Sequence, residues 1–178
     1  MRIVAGAFRG RRISGPSGEG LRPTSDRLRE AIFNVLAHSY GDPVAGARVI
    51  DLFAGTGALG LEALSRGAAH ALFVDVGGEA RALIRENVEA LAAGGVTRIF
   101  RRDATKLGPT QDDPFTLAFL DPPYGKGLGE KALAGLVDGN WLKPGAICVL
   151  EEKAGLALSL PSGLEQLDSR SWGETEVR

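Results

Sequence analysis

Asp121-Pro-Pro-Tyr124 follows an apolar run, Phe115-Thr-Leu-Ala-Phe-Leu120, and is the part of the chain best suited to chemistry. The run reads as a buried strand, which puts a carboxylate at its carboxyl end with two prolines and an aromatic ring behind it. Each proline fixes its own φ near −65°, lacks an N–H, and biases the residue before it toward extended backbone. The carbonyls are therefore held in set directions. An exocyclic amine on a flat base fits this corner, donating to Asp121 and to the Pro122 carbonyl while the ring stacks on Tyr124. Pro123 stiffens the turn between acceptor and ring.

A second constellation lies at residues 51–60, Asp-Leu-Phe-Ala-Gly-Thr-Gly-Ala-Leu-Gly. Gly55, Gly57 and Gly60 match G-x-G-x-x-G, and Asp75 follows about 20 residues after the first glycine, at the end of the next apolar run. That pattern alone admits a dinucleotide-binding dehydrogenase. Asp51 argues otherwise, because a carboxylate at the strand end meets the place a pyrophosphate would occupy. It suits a cationic ligand, and S-adenosylmethionine carries a sulfonium and an ammonium without phosphate. Phe53, Ala54, Gly55, Thr56 and Gly57 form the predicted cradle, and Asp75 is expected to accept both ribose hydroxyls. Asp103 and Ala104, after the third strand, are expected at the adenine edge. Four acids at successive strand ends mark the crevice where open α/β sheets bind ligands.

The elements that position these groups alternate. Strands are predicted at 48–53, 71–75, 96–101, 116–120 and 146–151, with helices at 57–66, 78–92 and 127–138. Residues 164–170 and 173–178 read as a sixth and the start of a seventh strand. The expected fold is α/β: a doubly wound, mostly parallel seven-stranded sheet of Rossmann-like type. Before it, residues 2–14 read as a small hairpin broken by Gly6 and Gly10, and residues 15–20 as a polar loop. A helix begins at Thr24 or Ser25 with Leu28, Ile32, Val35 and Leu36 on its apolar stripe. Residues 1–40 are expected as a basic extension and 41–178 as the catalytic domain.

With 178 residues, 44% of them hydrophobic, the chain can build one substantial core. No apolar run approaches the roughly 20 residues of a membrane span, and the first residues lack a secretory signal, so a cytoplasmic monomer is expected. Cys148 reads as a small core hydrophobe, His38 and His70 show no metal-ligand spacing, and no metal is expected. The net charge of −1 conceals an asymmetry. Residues 1–30 hold seven arginines against three acids, a balance of +4, which leaves −5 for the remainder. A basic arm on an acidic body suits a polyanion, with Arg9, Arg11, Arg12, Arg22, Arg27 and Arg29 as the candidate phosphate contacts.

Residues 51–66, Leu21-Arg-Pro-Thr-Ser-Asp-Arg-Leu-Arg-Glu-Ala-Ile-Phe-Asn34, Gly6-Ala-Phe-Arg-Gly-Arg-Arg12 and Asp121-Pro-Pro-Tyr124 together resemble the bacterial 16S ribosomal RNA guanine-N2 methyltransferase family. The tetrapeptide is shared with many amino-methylating enzymes, whereas the Arg-Pro-Thr-Ser-Asp-Arg segment and the basic hairpin narrow the match. The resemblance implies a class I methyltransferase fold with S-adenosylmethionine as donor, acting on a guanine of small-subunit RNA in an assembled or assembling particle. Two departures stand out. Val76 and Gly77 replace the basic residue and second acid that the family places after Asp75, and Arg178 falls short of where its last strand finishes. Adenine-N6 methylation of DNA or RNA, a nicotinamide-dependent oxidoreductase and a non-enzymatic RNA-binding assembly factor are the alternatives.

Overall fold

Four runs become adjacent strands of one sheet, with the third at its edge: β1 (Arg48–Leu52), β2 (His70–Val74), β3 (Thr97–Phe100) and β4 (Phe115–Leu120). The computed structural model describes residues 1–16 and 24–178. β5 (Leu142–Lys153) extends the parallel set, and β6 (Arg170–Trp172) and β7 (Thr175–Val177) complete a sheet ordered β3-β2-β1-β4-β5-β7-β6. β7 runs antiparallel to both its neighbours. The winding direction reverses between β1 and β4, and such a reversal opens a crevice at the strands' carboxyl ends.

Side chains alternate across a strand, so continuous apolar runs feed two cores. Val49, Ala71, Phe73, Leu117, Phe119 and Val149 join the helices α1 (Asp26–Ser39), α2 (Ala58–Ser65) and α3 (Gly78–Ala90) in one cluster. Ile50, Leu52, Leu72, Val74, Ala118, Leu120 and Leu150 join α4 (Leu128–Asp138) and Trp141 in the other. The fold is the doubly wound sheet expected from the sequence. Ile3, Ile13, Ile32 and Phe33 share the first cluster with β1 and α2, so the amino-terminal segment packs directly on the sheet's helical layer. Among the described residues no helix is long and apolar enough to cross a membrane.

Several elements differ from expectation. The hairpin reduces to a single antiparallel bridge, Arg2 with Arg12. Its arms are still joined by the Ile3 N–H to the Arg11 carbonyl at 3.0 Å, the Ile13 N–H to the Met1 carbonyl at 3.0 Å and the Gly10 N–H to the Ile3 carbonyl at 2.8 Å. Its tip turns to α2, the Ala7 N–H donating to the Ser65 carbonyl at 2.8 Å and the Phe8 N–H to Ser65 Oγ at 2.9 Å. Gly6 permits this contact, since a Cβ there would lie 1.9 Å from the Ser65 carbonyl oxygen and its φ is +85°. β5 begins four residues early, past an irregularity at Pro144 and Gly145 that shifts its register on β4. The predicted sixth strand at 164–170 slides to 170–172, for within that stretch Leu164 packs against the second core while Leu167 stands 61% exposed. Ser25 rather than Thr24 caps α1, its Oγ accepting from the Leu28 N–H at 3.1 Å. The loop read at 15–20 lies mostly outside the described residues.

Candidate active site at the carboxyl ends of the central strands

Pleat parity assembles the site. Asp51 follows Val49, Asp121 follows Phe119 and Glu151 follows Val149 at intervals of two, so all three side chains leave the same face of the sheet. Asp75 follows Phe73 in the same way. In register, Leu52 lies level with Val74 and Leu120, and Leu120 with Leu150. Asp75, Asp121 and Glu151 therefore stand in one row at the crevice, with Asp51 about 6–7 Å further down its strand.

The glycine loop closes over Asp51. Phe53 leaves β1 at φ +54°, a left-handed conformation that a bulky residue adopts only where its surroundings hold it. Gly55 and Gly57 continue the turn at +60° and +80°. Gly60 lets α2 approach the sheet, for a Cβ there would meet Phe73 Cε1 at 2.4 Å. Asp51 is 1% exposed, and its Oδ2 accepts the Gly60 N–H at 3.0 Å. Burial drives its carboxyl well above the ordinary range, the Gly60 N–H opposes this, and the Asp121 and Asp75 charges add to the rise. The sequence alone points to Asp51 meeting a ligand directly. At this depth it presents almost no surface, and it pins the loop through the Gly60 N–H. A cation in the crevice would restore its ionised form.

Asp75 is half-buried and bridges two turns, its Oδ2 accepting the Gly55 N–H at 3.0 Å and its Oδ1 the Gly77 N–H at 2.8 Å. Val76, 65% exposed beside it, offers an apolar surface where the resembled family has a charged residue. Ala54 and Thr56 are buried, and the Thr56 carbonyl accepts from Asn87 Nδ2 at 2.9 Å. Asp103 is exposed, and its Oδ1 accepts the Thr105 hydroxyl at 2.7 Å and the Thr105 N–H at 2.9 Å. Chiefly that hydroxyl, then the N–H, holds its carboxyl below the usual range. The Ala104 methyl faces the second core, leaving its main chain for any ligand.

At the amine corner Pro122 is buried, Pro123 exposed and Tyr124 half-buried, with the Tyr124 hydroxyl 2.9 Å from Thr175 Oγ1 on β7. That bond fixes the ring's tilt. Asp121 Oδ2 lies 3.1 Å from Thr24 Oγ1, the residue preceding the cap of α1. Behind it, Glu151 Oε1 lies 3.3 Å from the same Thr24 hydroxyl, and burial first, then the Asp121 charge, pushes its carboxyl up to about 9. Glu152 points the other way and accepts the Gly125 N–H at 2.9 Å, closing the turn after the tetrapeptide. Sequence reasoning does not identify Thr24, Glu151, Glu152 or Thr175 as part of the site. The acids at 151 and 152 end an apolar strand, the same signal that marks Asp51 and Asp121.

The arginine arm divides. Arg9, Arg12 and Arg27 are exposed. Arg11 is exposed too, but its guanidinium donates to the Ala90 carbonyl at the end of α3. Arg22 lies outside the described residues. Arg29 corrects the expectation from sequence: it has no exposed surface and so cannot reach a phosphate. Its Nε donates to Glu62 Oε1 at 3.0 Å, and its remaining N–H groups to Asp26, the Arg2 carbonyl and the Thr24 carbonyl. Glu62, equally buried, also accepts the Val4 and Ala5 N–H groups and Arg66 Nε. This hub locks the arm, α1 and α2 together, and through Thr24 it reaches the amine corner. Cys148 is a packed thiol, pushed up to about 12 by burial. A cavity of about 700 Å³ between α1 and the edge of β5, lined by Ile32, Tyr40, Ile147, Leu160 and Trp172, contains none of the row's acids.

A seven-stranded sheet with an antiparallel β7, a glycine loop after β1 and acids at the ends of β1, β2 and β4 define the Rossmann-like class I methyltransferase fold. The solved structure described as a putative methyltransferase yhhF from Escherichia coli superposes with a TM-score of 0.86 at 34% identity, covering 100% of this chain and 95% of that one. A SAM-dependent methyltransferase from Thiobacillus denitrificans, solved with S-adenosyl-L-homocysteine, shares the fold at a TM-score of 0.57 and 21% identity, covering 74% of this chain and 50% of that one. The chain belongs to the family described as conserved hypothetical protein 95, whose model matches residues 1–178. Ribosomal RNA small subunit methyltransferase D of Escherichia coli strain K12 is 38% identical over 153 residues, 86% of this chain and 75% of that protein. Its namesake in Haemophilus influenzae is 34% identical over 181 residues, 100% of this chain and 92% of that protein.

Proposed function

We propose that the protein transfers a methyl group from S-adenosylmethionine to the exocyclic N2 amine of a guanine in small-subunit (16S) ribosomal RNA, within a small subunit or its assembly intermediate. The carrying observation is the set of carboxyl groups on one sheet face, Asp51, Asp75, Asp121 and Glu151, close enough that Asp121 and Asp75 raise the Asp51 carboxyl and Asp121 and Asp51 raise that of Glu151. Such a crevice repels a pyrophosphate and favours a cationic ligand. This argues against the nicotinamide reading of the glycine loop. The names carried by the relatives support RNA as the substrate class, and the intact Asp-Pro-Pro-Tyr corner supports an amine as the acceptor.

When bound, S-adenosylmethionine supplies an activated methyl on a sulfonium leaving group. The chain's own residues bind and orient. Phe53, Ala54, Gly55, Thr56 and Gly57 would present backbone to the nucleoside and amino-acid portions. Asp75 would accept the ribose hydroxyls, and Asp103 with the Ala104 main chain would stand at the base edge. Guanine N2 is a weak nucleophile because its lone pair is delocalised into the ring. Accepting its hydrogens at Asp121 and at the Pro122 carbonyl, with the base on Tyr124, draws the nitrogen toward tetrahedral geometry and frees the lone pair. Alignment of this kind recovers on the order of 7–11 kcal/mol of barrier. Asp121 acts as a positioner of the amine rather than a strong base.

Arg9, Arg12 and Arg27 supply phosphate contacts, with little base information among them. One calorimetric series tests both halves of the reading. S-adenosylhomocysteine should bind the wild type one-to-one and NAD should give no heat. Replacing Arg9, Arg12 and Arg27 by glutamine should weaken RNA binding and flatten its salt slope by roughly 2–3, at about 0.7–0.9 for each phosphate no longer neutralised, with S-adenosylhomocysteine affinity unchanged. Tight NAD binding, or loss of S-adenosylhomocysteine binding in the triple variant, would overturn the assignment.

A further inference from the structure

Glu151 is 2% exposed, lies opposite Val177 in the β5–β7 ladder, and stands level with Asp121 on the neighbouring strand. A carboxyl at that depth must be neutral or fully partnered. Its side chain and that of Asp121 converge on one hydroxyl. Thr24 Oγ1 lies 3.3 Å from Glu151 Oε1 and 3.1 Å from Asp121 Oδ2. Two ionised carboxylates offer only acceptors, so a carboxyl–carboxyl hydrogen bond requires a proton between them. The single Thr24 hydrogen serves one oxygen at a time and cannot replace it.

The charged groups around the pair decide which acid holds that proton. Asp51 faces it from β1 and offers no counter-charge. Arg29 of α1 donates to the Thr24 carbonyl at 3.5 Å and is otherwise engaged with Glu62 and Asp26. On β7, the Arg178 guanidinium is paired with Glu176 at 3.1 Å. Neither of these guanidinium groups bonds Glu151, the deeper acid, while Asp121 is half-buried at the crevice. These surroundings favour the proton on Glu151, the deeper acid.

We propose that Glu151 is a positioning residue for the amine-accepting carboxylate: as a neutral acid it donates its hydrogen to Asp121, sets that side chain's orientation together with Thr24, and keeps the corner at one negative charge. The inference rests on reading Asp121 as the group that receives the substrate amine. The pair also has room for one more proton. Once the N–CH3 bond has formed and the S–CH3 bond has broken, with its electron pair left on sulfur, the amine nitrogen gives up a hydrogen ion that the pair accepts and releases to water.

Kinetics of wild type, Glu151→Gln and Glu151→Ala from neutral to alkaline pH test this. Glutamine mimics the neutral acid, donating to Asp121 and accepting from Thr24 without a titratable proton. Glu151→Ala should lower kcat by about 10²-fold, the scale of misplacing reacting groups by about 1 Å, with little change in KM for the donor. Glu151→Gln should restore kcat to within about threefold of wild type. The wild type should lose activity at alkaline pH as the shared proton leaves and a second charge develops, and Glu151→Gln should lack that limb. Unchanged kcat in Glu151→Ala would overturn the proposal. So would Glu151→Gln as inactive as Glu151→Ala while melting and binding S-adenosylhomocysteine as wild type does. Infrared difference spectra of wild type against Glu151→Gln at neutral pH provide a readout independent of turnover. The carbonyl stretch of a protonated carboxylic acid should be present and vanish in the variant, and its absence from wild type would overturn the shared proton. Its presence in a wild type that methylates no amine would overturn the role assigned to Asp121, and the positioning proposal with it.

Discussion

Asp121→Ala should lower kcat for methyl transfer by about 10²–10³-fold, the scale seen when a group that stabilises developing charge is removed, with S-adenosylhomocysteine affinity and thermal stability retained. Without the carboxylate, the amine's hydrogens have no acceptor on that side and its lone pair stays conjugated with the ring. Stability should not fall, because the row of like charges loses one member: Asp121 raises both Asp51 and Glu151. Asp121→Asn keeps a carbonyl acceptor and should fall between the two, at about tenfold below wild type. Full activity in both Asp121→Asn and Tyr124→Ala would sink the account of the corner. Loss of S-adenosylhomocysteine binding in Asp121→Ala would move the residue into the cofactor site.

Arg29→Met should destabilise the fold by about 3–5 kcal/mol, as expected when one partner of a buried ion pair is removed and the other stays behind. The variant strands Glu62 short of a cation, leaves Asp26 with the Arg2 N–H alone of these partners, and takes the Arg29 donors from the Arg2 and Thr24 carbonyls. Denaturant unfolding reads the loss directly. Adding Glu62→Gln should recover part of it, since the amide oxygen still accepts a hydrogen bond from the arm while the uncompensated charge is gone. A variant that unfolds at the wild-type midpoint yet loses RNA affinity would make Arg29 a phosphate ligand after all.

These two residues show what the chain's sequence makes legible and what it hides. Asp121 is legible because its signal is local: an apolar run, then an acid, then two prolines whose constraints act on their own and adjacent residues. The strand pattern, the three glycines and the acids at strand ends are likewise carried by near neighbours, so the sheet, its crevice and the amine corner follow from reading along the chain. Arg29 is opaque for the opposite reason. In α1 it resembles Arg27, two residues away, and only Glu62, 33 residues on in a helix of alanines and leucines, draws it inside. Thr24 reads as a cap and becomes a ligand of Asp121, 97 residues distant. Glu151 is visible as an acid ending an apolar strand, but its meeting with Asp121 depends on the β4–β5 register, which an irregularity near Pro144 and Gly145 resets.

The central claim is that the corner built from Asp121, Pro122, Pro123 and Tyr124 methylates the exocyclic amine of a guanine. The direct measurement is transfer of an isotope-labelled methyl group from S-adenosylmethionine to small ribosomal subunits purified from cells lacking the gene, followed by digestion of the RNA to nucleosides and mass spectrometry. Wild type should place the label in N2-methylguanosine, and Asp121→Ala should place little there. Label in N6-methyladenosine, or equal label with both proteins, would contradict it.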